Sequence, residues 1–204
     1  MHTTQGLDQQ HAQWLEDTRK IPCELAAQTG LVSSGSSLAF EFRVNGALQF
    51  KKFRSADKRF WIEPKGAVLS LWNEDALCDM TMADAPRIIP EGEFDALSFL
   101  VAGATHVGSV PNGAAGKAGE GDIVPTEDHQ YQYLWDGPRL KSGLASAKKI
   151  ILATDGDAPG QILRDELAIR LGRHKCWYVT YPEGCKDANE VLVKLGPDAV
   201  MDLI

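Results

Sequence analysis

Apolar and polar residues alternate over two neighbouring runs in the first third of the chain, and this alternation predicts a β-hairpin. The runs cover residues 38–44 and 47–54, and the pair Asn45-Gly46 separates them. Asn-Gly between two alternating runs is a strong hairpin signal, because the tight turn requires positive φ at both central residues. We expect the apolar side chains of the hairpin to share one buried face: Phe40, Phe42, Val44, Leu48 and Phe50.

Helical spacing precedes the predicted hairpin, and a further short strand follows it. Apolar residues between positions 8 and 28 recur at helical spacing, and Gly30 is a natural helix stop. Residues 60–62 favour a strand that ends before Pro64. We therefore predict that residues 1–85 form a small mixed subdomain of helices and an antiparallel hairpin.

The pattern changes near residues 83–86, and short apolar runs then alternate with helical spacing. Strands are predicted at residues 88–89, 106–110, 150–153 and 177–180. Helices are predicted at residues 95–102, 127–135, 138–146, 161–171, 188–195 and 198–204, and a glycine-rich loop at 111–125. This alternation is typical of an α/β fold, here a mostly parallel sheet with helices on both faces over residues 86–204.

Charge is distributed unevenly along the chain. The formal net charge of −7 argues against tight, sequence-independent DNA binding by the chain as a whole. Between Arg43 and Lys65, however, seven basic side chains stand against two acidic ones. The net charge therefore leaves open a local basic track for nucleic acid.

Composition also limits the cellular setting and the metals that the chain can bind. No apolar run approaches the roughly 20 residues that a membrane span needs, and the first residues lack a secretory signal pattern. We therefore expect a cytoplasmic protein with no membrane partner. The four cysteines form no C-x-x-C pair, so we expect reduced thiols and no zinc.

Acidic side chains follow three of the predicted strands. They lie in Glu91-Gly92-Glu93, in Asp155-Gly156-Asp157 and in Lys186-Asp187. Because the carboxyl ends of parallel strands meet at one sheet edge, where ligands bind, we expect the first two segments to converge there. Converging carboxylates repel one another unless a cation lies among them, and hard oxygen ligands suit Mg²⁺ or Mn²⁺.

Each segment also has a simpler explanation. Glu91 and Glu93 could merely favour a helix N-terminus. Residues 155–166 partly fit a Ca²⁺-binding EF-hand loop, although a strand precedes them where an EF-hand has a helix. Lys186-Asp187 alone is typical of a surface turn. The metal-site interpretation therefore depends on the three segments occurring together.

The three segments, E-G-E-x-D, D-x-D-x-x-G and K-D-A-N-E, resemble the motifs of the Toprim (topoisomerase–primase) domain. Their order and spacing are similar to those of the primase part of phage and mitochondrial primase-helicases, and the resemblance extends upstream to about Trp14. It implies the core of a DNA-dependent RNA primase, which joins ribonucleoside triphosphates on a single-stranded DNA template. It also implies catalytic roles for Glu91, Asp155 and Asp157, and a site for Mg²⁺ or Mn²⁺ formed by these three and Asp187.

Basic residues with interleaved aromatic ones fit a track for the template strand. The candidate basic contacts are Lys51, Lys52, Arg54, Lys58 and Arg59. For the neighbouring aromatic residues we favour burial in the core: Phe50, Phe53, Phe60 and Trp61. Asn112, Lys117 and Lys186 are further candidate nucleotide contacts. Residues 113–117 do not form a phosphate-binding P-loop, because Pro111 replaces its first glycine and Ala118 its Ser or Thr.

Two features that accompany such primases are missing from these 204 residues, namely a zinc module and a helicase with a phosphate-binding loop. We expect either a piece of a longer protein or a compact relative, working with a replicative helicase in cis or in trans. Two alternatives stay open. One is a fragment of a Toprim nuclease or topoisomerase, and the other is a non-catalytic module that binds single-stranded DNA within a replicative helicase.

Overall fold

Two β-sheets organise the chain in a computed structural model that describes residues 6–82, 84–114, 129–135 and 137–204. The antiparallel sheet contains, in spatial order, β1 (Leu31–Ser34), β2 (Ser37–Val44), β3 (Ala47–Arg54) and β4 (Phe60–Glu63). The parallel sheet contains β5 (Arg87–Pro90), β6 (Ile150–Ala153) and β7 (Cys176–Tyr178), with β6 in the centre.

Helices surround both sheets. Within the described ranges they are α1 (Gln9–Trp14), α2 (Cys23–Gln28), α3 (Glu74–Leu77), α4 (Glu93–Val101), α5 (Pro138–Ser146), α6 (Ala158–Leu171), α7 (Ala188–Leu195) and α8 (Pro197–Met201). A π-helical turn continues α1 over Leu15–Arg19, and 3₁₀ turns cover His129–Leu134 and Arg173–Lys175. None of the described helices is both long and apolar enough to cross a membrane.

The predicted hairpin is confirmed, and its turn is held from outside. Asn45 and Gly46 adopt φ values of 52° and 74°, as a tight turn between twisted strands requires. The carboxylate of Asp75 accepts hydrogen bonds from both of their amides, at 2.8 and 2.7 Å. A side chain from the following segment therefore fixes the tip of the hairpin.

Two predicted core residues of the hairpin, Val44 and Leu48, are not buried. Phe42 pairs with Phe50, their rings stacked at 4.3 Å, but the register shifts after Phe42 so that Arg43 pairs with Leu48. Beyond this bulge the strand no longer follows simple alternation, and Leu48 is 44% exposed. The buried face therefore ends at Phe42 and Phe50.

The parallel sheet is covered on both faces, which confirms the predicted α/β class. One face packs against α4, α7 and α8 and the other against α5 and α6. The side chains of successive strand residues point alternately to the two faces: Ile88, Ile151 and Ala153 to the first, and Ile89, Ile150 and Leu152 to the second. Uninterrupted apolar runs in the sequence are thus explained by burial on both sides.

The antiparallel sheet packs on the start of α4. The ring of Phe40 lies 5.2 Å from that of Phe94 and 6.4 Å from that of Trp72, both edge-on. The same apolar cluster contains Phe40 and Leu97, so one core runs through both predicted domains. The division at residues 85 and 86 stays a prediction.

Two predicted strands of the second half differ from the structure: residues 106–110 do not form a strand, and the last strand is shorter than expected. Residues 106–110 contribute an isolated parallel bridge between Ile88 and Val107 rather than a strand. The last strand, β7, ends at Tyr178, and its Trp177 is largely exposed because β7 lies at the edge of the sheet. Most of the predicted loop at residues 111–125 lies outside the described residues.

Candidate active-site cleft

A cleft of about 630 Å³ opens at the carboxyl ends of β5 and β6 and extends to β3 and β4. Four carboxylates line one side of it, namely Glu91, Asp95, Asp155 and Asp187, and a fifth, Glu93, lines it as the ion-pair partner of Lys52. Cationic and aromatic side chains line the other side: Arg19, Lys52, Arg54, Lys58, Phe60 and Trp61. The predicted convergence of acidic residues from three segments of the chain is therefore present.

Glu91 directly follows β5 and connects two loops. Its Oε1 accepts a hydrogen bond from the amide of Ala114 at 3.3 Å, and its Oε2 accepts one from the amide of Asp155 at 3.4 Å. Burial and the nearby charge of Asp155 raise the pKa of Glu91 above its ordinary value. A carboxyl with a raised pKa at the mouth of a cleft can hold or accept a proton.

Asp155 follows β6, and Asp187 caps the N-terminus of α7 by accepting a hydrogen bond from the amide of Glu190 at 2.7 Å. The ammonium group of Lys186 lies between them, 3.1 Å from Asp155 Oδ2 and 3.6 Å from Asp187 Oδ2. Burial still raises the pKa of Asp155 in spite of this lysine. Lys186 therefore offsets part of the negative charge of the site, while burial of Asp155 keeps the pKa of that carboxyl raised.

Asp95 is the carboxylate to which the sequence analysis assigned no role. It lies in the first turn of α4, is buried, and accepts a hydrogen bond from the amide of Asn189 at 3.0 Å. Burial, together with the charges of Asp187 and Asp155, raises the pKa of Asp95 well above its ordinary value. Its place as the last residue of the E-G-E-x-D motif is the signal that could have revealed it.

The structure places Asp157 at the rim rather than in the cleft. Its side chain is exposed, and its Oδ1 accepts a hydrogen bond from the amide of Gly160 at 3.0 Å, which caps α6. A Cβ on Gly160 would collide with the backbone of Asp155, so this turn requires glycine. The charge of Asp157 still contributes to the raised pKa values of Glu91 and Asp155. Its catalytic role stays a prediction.

The donor set of the cleft fits a hard divalent cation. Oxygens of Asp155 and Asp187 flank the Lys186 ammonium group, and burial, together with neighbouring acidic groups, raises the pKa values of Asp95 and Asp155. The oxygens are too far apart to form a compact triad. In the described part of the chain, the group of metal-ligand side chains whose atoms all lie within 4.8 Å is Glu16, Cys23 and Glu24. Mg²⁺ does not require such a triad, because it usually binds through one or two carboxylates and keeps several waters.

Lys52, Arg54 and Lys58 are the predicted basic residues of β3 and its following turn that line the cleft. Lys52 is buried and forms an ion pair with Glu93 at 2.8 Å, which ties β3 to the first turn of α4. Arg54 is also buried, and within the described residues its guanidinium contacts two aromatic rings and no carboxylate. Arg54 and Lys58 therefore remain available to an anionic ligand, whereas Lys52 is engaged.

The other predicted contacts divide into three groups. Lys51 pairs with Glu41 at 2.9 Å, and Arg59 pairs with Asp57 at 2.7 Å. Neither Lys51 nor Arg59 lines the cleft. Asn112 and Lys186 do line it. Lys117 lies outside the described residues.

Arg19 is a cleft residue that the sequence analysis missed. Its guanidinium lies 5.2 Å from the ring of Trp14 and 4.7 Å from that of Phe94, and Arg54 contacts the same two rings. Burial and the charge of Arg19 lower the pKa of Arg54. The Nε of Arg19 is buried without a hydrogen-bond partner. Two neighbouring guanidinium groups on a shared aromatic support form a strong potential anion site.

The prediction that the aromatic residues of this segment are buried is half correct. Phe50 and Phe53 are buried, but Phe60 is 54% exposed and Trp61 39% exposed at the cleft wall. Trp61 stacks on Phe53 at 5.0 Å, which holds its ring in place. These two residues lie on the edge strand β4, where one ring face is left free.

The parallel sheet, its acidic strand ends and the preceding antiparallel subdomain define a Toprim fold of the primase type. Residues 88–192 match the family model described as Toprim-like, and the chain belongs to that family. The crystal structure of the primase fragment of the bacteriophage T7 primase-helicase protein has a similar fold. Its TM-score is 0.61 at 20% identity, covering 91% of this chain and 71% of that one.

Two relatives from Arabidopsis thaliana have similar sequences. The Twinkle homolog protein, chloroplastic/mitochondrial, is 37% identical over 174 residues, which cover 82% of this chain and 23% of that protein. The Primase homolog protein is also 37% identical over 174 residues, covering 82% of this chain and 49% of that protein. The chain therefore spans less than half the length of either relative.

Proposed function

We propose that this chain is the catalytic core of a DNA-dependent RNA primase, which makes short RNA primers on single-stranded DNA. The observation that carries the proposal is a single cleft with carboxylates from three segments on one side and, on the other, cationic groups of which Arg19, Arg54 and Lys58 have no carboxylate partner among the described residues. Nucleotidyl transfer requires this combination, because a triphosphate must be held while its charge is offset. Relatives named as primases and as a primase-helicase support the same conclusion.

Mg²⁺ or Mn²⁺ would be held by Asp155, Asp187 and Glu91 at the carboxylate side of the cleft. Bound there, such an ion supplies Lewis-acid stabilisation of phosphate charge. Glu91, whose pKa is raised by burial, would accept a proton from an attacking hydroxyl group. Asp157 at the rim would add negative charge that attracts the cation.

Arg19 and Arg54 would bind the triphosphate opposite the carboxylates. Both guanidinium groups lie against Trp14 and Phe94, so little side-chain entropy remains to be lost when phosphate binds. Guanidinium groups present forked donors that match phosphate oxygens. Arg19 and Arg54 therefore fit the proposed triphosphate binding better than Lys51 and Lys52, which already pair with glutamates.

The template strand would lie along β4. Phe60 and Trp61 expose ring faces on which bases can stack, and Lys58 is close enough to share the cleft and contact phosphates. A replicative helicase in cis or in trans is the proposed partner that delivers this strand. The primase-helicase of bacteriophage T7 supports that pairing.

The test is incorporation of labelled ribonucleotides on single-stranded templates, with Mg²⁺, with Mn²⁺ and with EDTA. We expect Glu91→Gln and Asp155→Asn each to lower the synthesis rate roughly a hundredfold or more, as loss of a general base or of a metal ligand does. Asp198→Asn, which changes an exposed carboxylate in the first turn of α8, is the matched control and should leave the rate unchanged.

Other outcomes of the same assay would replace the proposal. Binding of the template without any synthesis would indicate a non-catalytic module of a replicative helicase. Divalent-cation-dependent cleavage of the template would indicate a Toprim nuclease. Undiminished synthesis in both cleft variants would contradict the assignment of the cleft as the active site.

A further inference from the structure

The side chain of Lys186 occupies the place between two carboxylates that a cation would take. Its Nζ lies 3.1 Å from Asp155 Oδ2, within hydrogen-bond distance, and 3.6 Å from Asp187 Oδ2. Asp155 follows β6 and Asp187 begins α7, so the two carboxylates come from different elements. The ammonium group therefore bridges the two walls of the proposed cation site.

Within the described residues, two carboxylate contacts hold the Lys186 ammonium group, and the one to Asp155 is also a hydrogen bond. The lysine side chain is 55% exposed, and its ion-pair partners in the described part of the chain are these two aspartates. Its flexible four-carbon stem lets the ammonium group turn away into solvent once these two contacts are broken. Asp155 and Asp187, by contrast, are fixed by backbone contacts around the strand end and the helix cap.

A divalent cation and the ammonium group cannot occupy this place together. Both require the inward oxygens of Asp155 and Asp187, and like charges a few ångströms apart repel strongly in a partly buried site. Arrival of the cation therefore requires that Lys186 leave. The affinity measured for the cation then contains the cost of breaking both lysine contacts.

We propose that Lys186 is a displaceable internal cation that competes with Mg²⁺ or Mn²⁺ for Asp155 and Asp187. This inference rests on the cation site of the proposed function. In the metal-free protein, the ammonium group of Lys186 offsets the repulsion between Asp155 and Asp187. It also weakens cation binding in the absence of nucleotide. Once displaced, the ammonium group is free to contact the phosphates of a nucleotide that arrives with its own Mg²⁺. The site thereby favours the metal–nucleotide complex over the free metal.

Direct binding of Mn²⁺ without nucleotide or template tests this. Electron paramagnetic resonance of free Mn²⁺ gives a dissociation constant for the wild-type chain, Lys186→Gln and Lys186→Arg. We expect Lys186→Gln to lower the constant about tenfold, since it removes one positive charge next to the site while leaving a polar side chain that is one atom shorter. Lys186→Arg keeps the charge and should not bind Mn²⁺ more tightly than the wild type.

Two controls make the result specific. Lys148→Gln makes the same change in net charge at an exposed ion pair with Asp84, outside the cleft, and should leave the Mn²⁺ constant unchanged. Asp155→Asn should abolish tight Mn²⁺ binding in either background. Thermal unfolding of each variant in EDTA confirms that it is folded.

An unchanged or weaker Mn²⁺ affinity in Lys186→Gln would overturn the inference, as would the absence of Mn²⁺ binding in every variant. The proposed function is judged separately, by primer synthesis. A chain that makes primers but binds Mn²⁺ equally with and without Lys186 would refute the competition alone. A chain that binds Mn²⁺ more tightly without Lys186 but makes no primers would refute primase activity alone.

Discussion

The backbone amide of Asn189 donates a hydrogen bond to Oδ1 of Asp95 at 3.0 Å, and the side chain of the same asparagine holds Arg19. Asn189 Oδ1 accepts a hydrogen bond from Arg19 Nη1 at 2.8 Å, and its Nδ2 donates to the carbonyl of Arg19 and to Ser98 Oγ, both at 3.0 Å. The asparagine is 3% exposed. One buried asparagine therefore positions a cleft carboxylate through its backbone amide and a cleft guanidinium through its side chain.

Replacing Asn189 should affect both folding and ligand binding. Asn189→Ala removes the side-chain amide that binds polar groups of Arg19 and Ser98. Because those groups lose a hydrogen bond in a buried place, we expect a loss of about 1–3 kcal/mol in the free energy of unfolding. Because Arg19 is released, affinity for a nucleoside triphosphate should also fall, measured by calorimetry on the folded variant. Gln49→Ala, on the exposed part of β3, is the control for both measurements. Normal triphosphate affinity in Asn189→Ala would contradict the positioning role.

The raised pKa of Asp95 predicts that this carboxylate lowers the free energy of unfolding at neutral pH. Its folded pKa is raised above the unfolded value of 3.8 by burial and by Asp187 and Asp155, so the folded chain binds this proton more tightly than the unfolded chain. The protonated Asp95 carboxyl therefore stabilises the fold below pH 3.8, and this contribution is lost as the pH rises toward the folded pKa of Asp95. Asp95→Asn keeps the acceptor for Asn189 and removes the charge. It should stabilise the protein at neutral pH in EDTA.

Urea denaturation at two pH values checks this prediction. Near pH 3, where Asp95 is protonated in both states, wild type and Asp95→Asn should unfold at similar urea concentrations. At neutral pH the variant should unfold at a higher concentration. Equal midpoints at both pH values, or a less stable variant at neutral pH, would show that Asp95 does not carry uncompensated charge.

The parts of the fold that sequence predicts well are those in which the signal is local. Asn45-Gly46 marks a turn by its own backbone preference, and the carboxylates Glu91 and Asp155 follow apolar strands directly. The bulge that exposes Leu48 depends on the register between two strands, and nothing near Leu48 in the sequence encodes it.

Residues defined by distant contacts could not be predicted in the same way. Arg19 reaches the cleft because Asn189 binds it across 170 residues of chain. Lys52 looked like a free cation, but Glu93, 41 residues away, neutralises it. Exposure of Phe60 and Trp61 follows from the edge position of β4, which sequence alternation does not reveal.

Replacing one partner of the buried ion pair between Lys52 and Glu93 should lower the free energy of unfolding more than replacing both partners. Lys52→Met leaves the Glu93 carboxylate buried and unpaired, which should cost about 3–5 kcal/mol of unfolding free energy. The double variant Lys52→Met, Glu93→Leu should recover most of that loss, because both charges are gone. Chemical denaturation of the three variants gives the coupling energy. Additive losses would show that the two groups do not depend on each other.

The N-cap role of Asp157 can be separated from its charge. Asparagine caps helices as well as aspartate does, so Asp157→Asn should leave stability unchanged while weakening Mn²⁺ binding and primer synthesis. Asp157→Ala loses the cap of α6 as well and should cost about 1 kcal/mol in addition. Full activity in Asp157→Asn would reduce this residue to a helix cap.

Arg87 holds the segment that leads into the parallel sheet. It is fully buried at the start of β5, and its guanidinium donates hydrogen bonds to the carbonyls of Leu77, Asp79 and Ala85 at 2.7 to 2.9 Å. The buried charge is thus solvated by backbone carbonyls rather than by a carboxylate. Removing the donors leaves those carbonyls to find water or remain unpaired.

Arg87→Met should therefore lower the free energy of unfolding by about 3 kcal/mol, with little change in the synthesis rate per folded molecule, because Arg87 lies outside the cleft. Arg87→Lys keeps the charge but offers fewer donors and should lose an intermediate amount. Arg43→Met, at an exposed ion pair with Glu41, is the matched control and should change stability by less than about 1 kcal/mol. Urea midpoints for the three variants decide the matter, and a midpoint of Arg87→Met equal to that of the wild type would show that these three carbonyl contacts do not stabilise the fold.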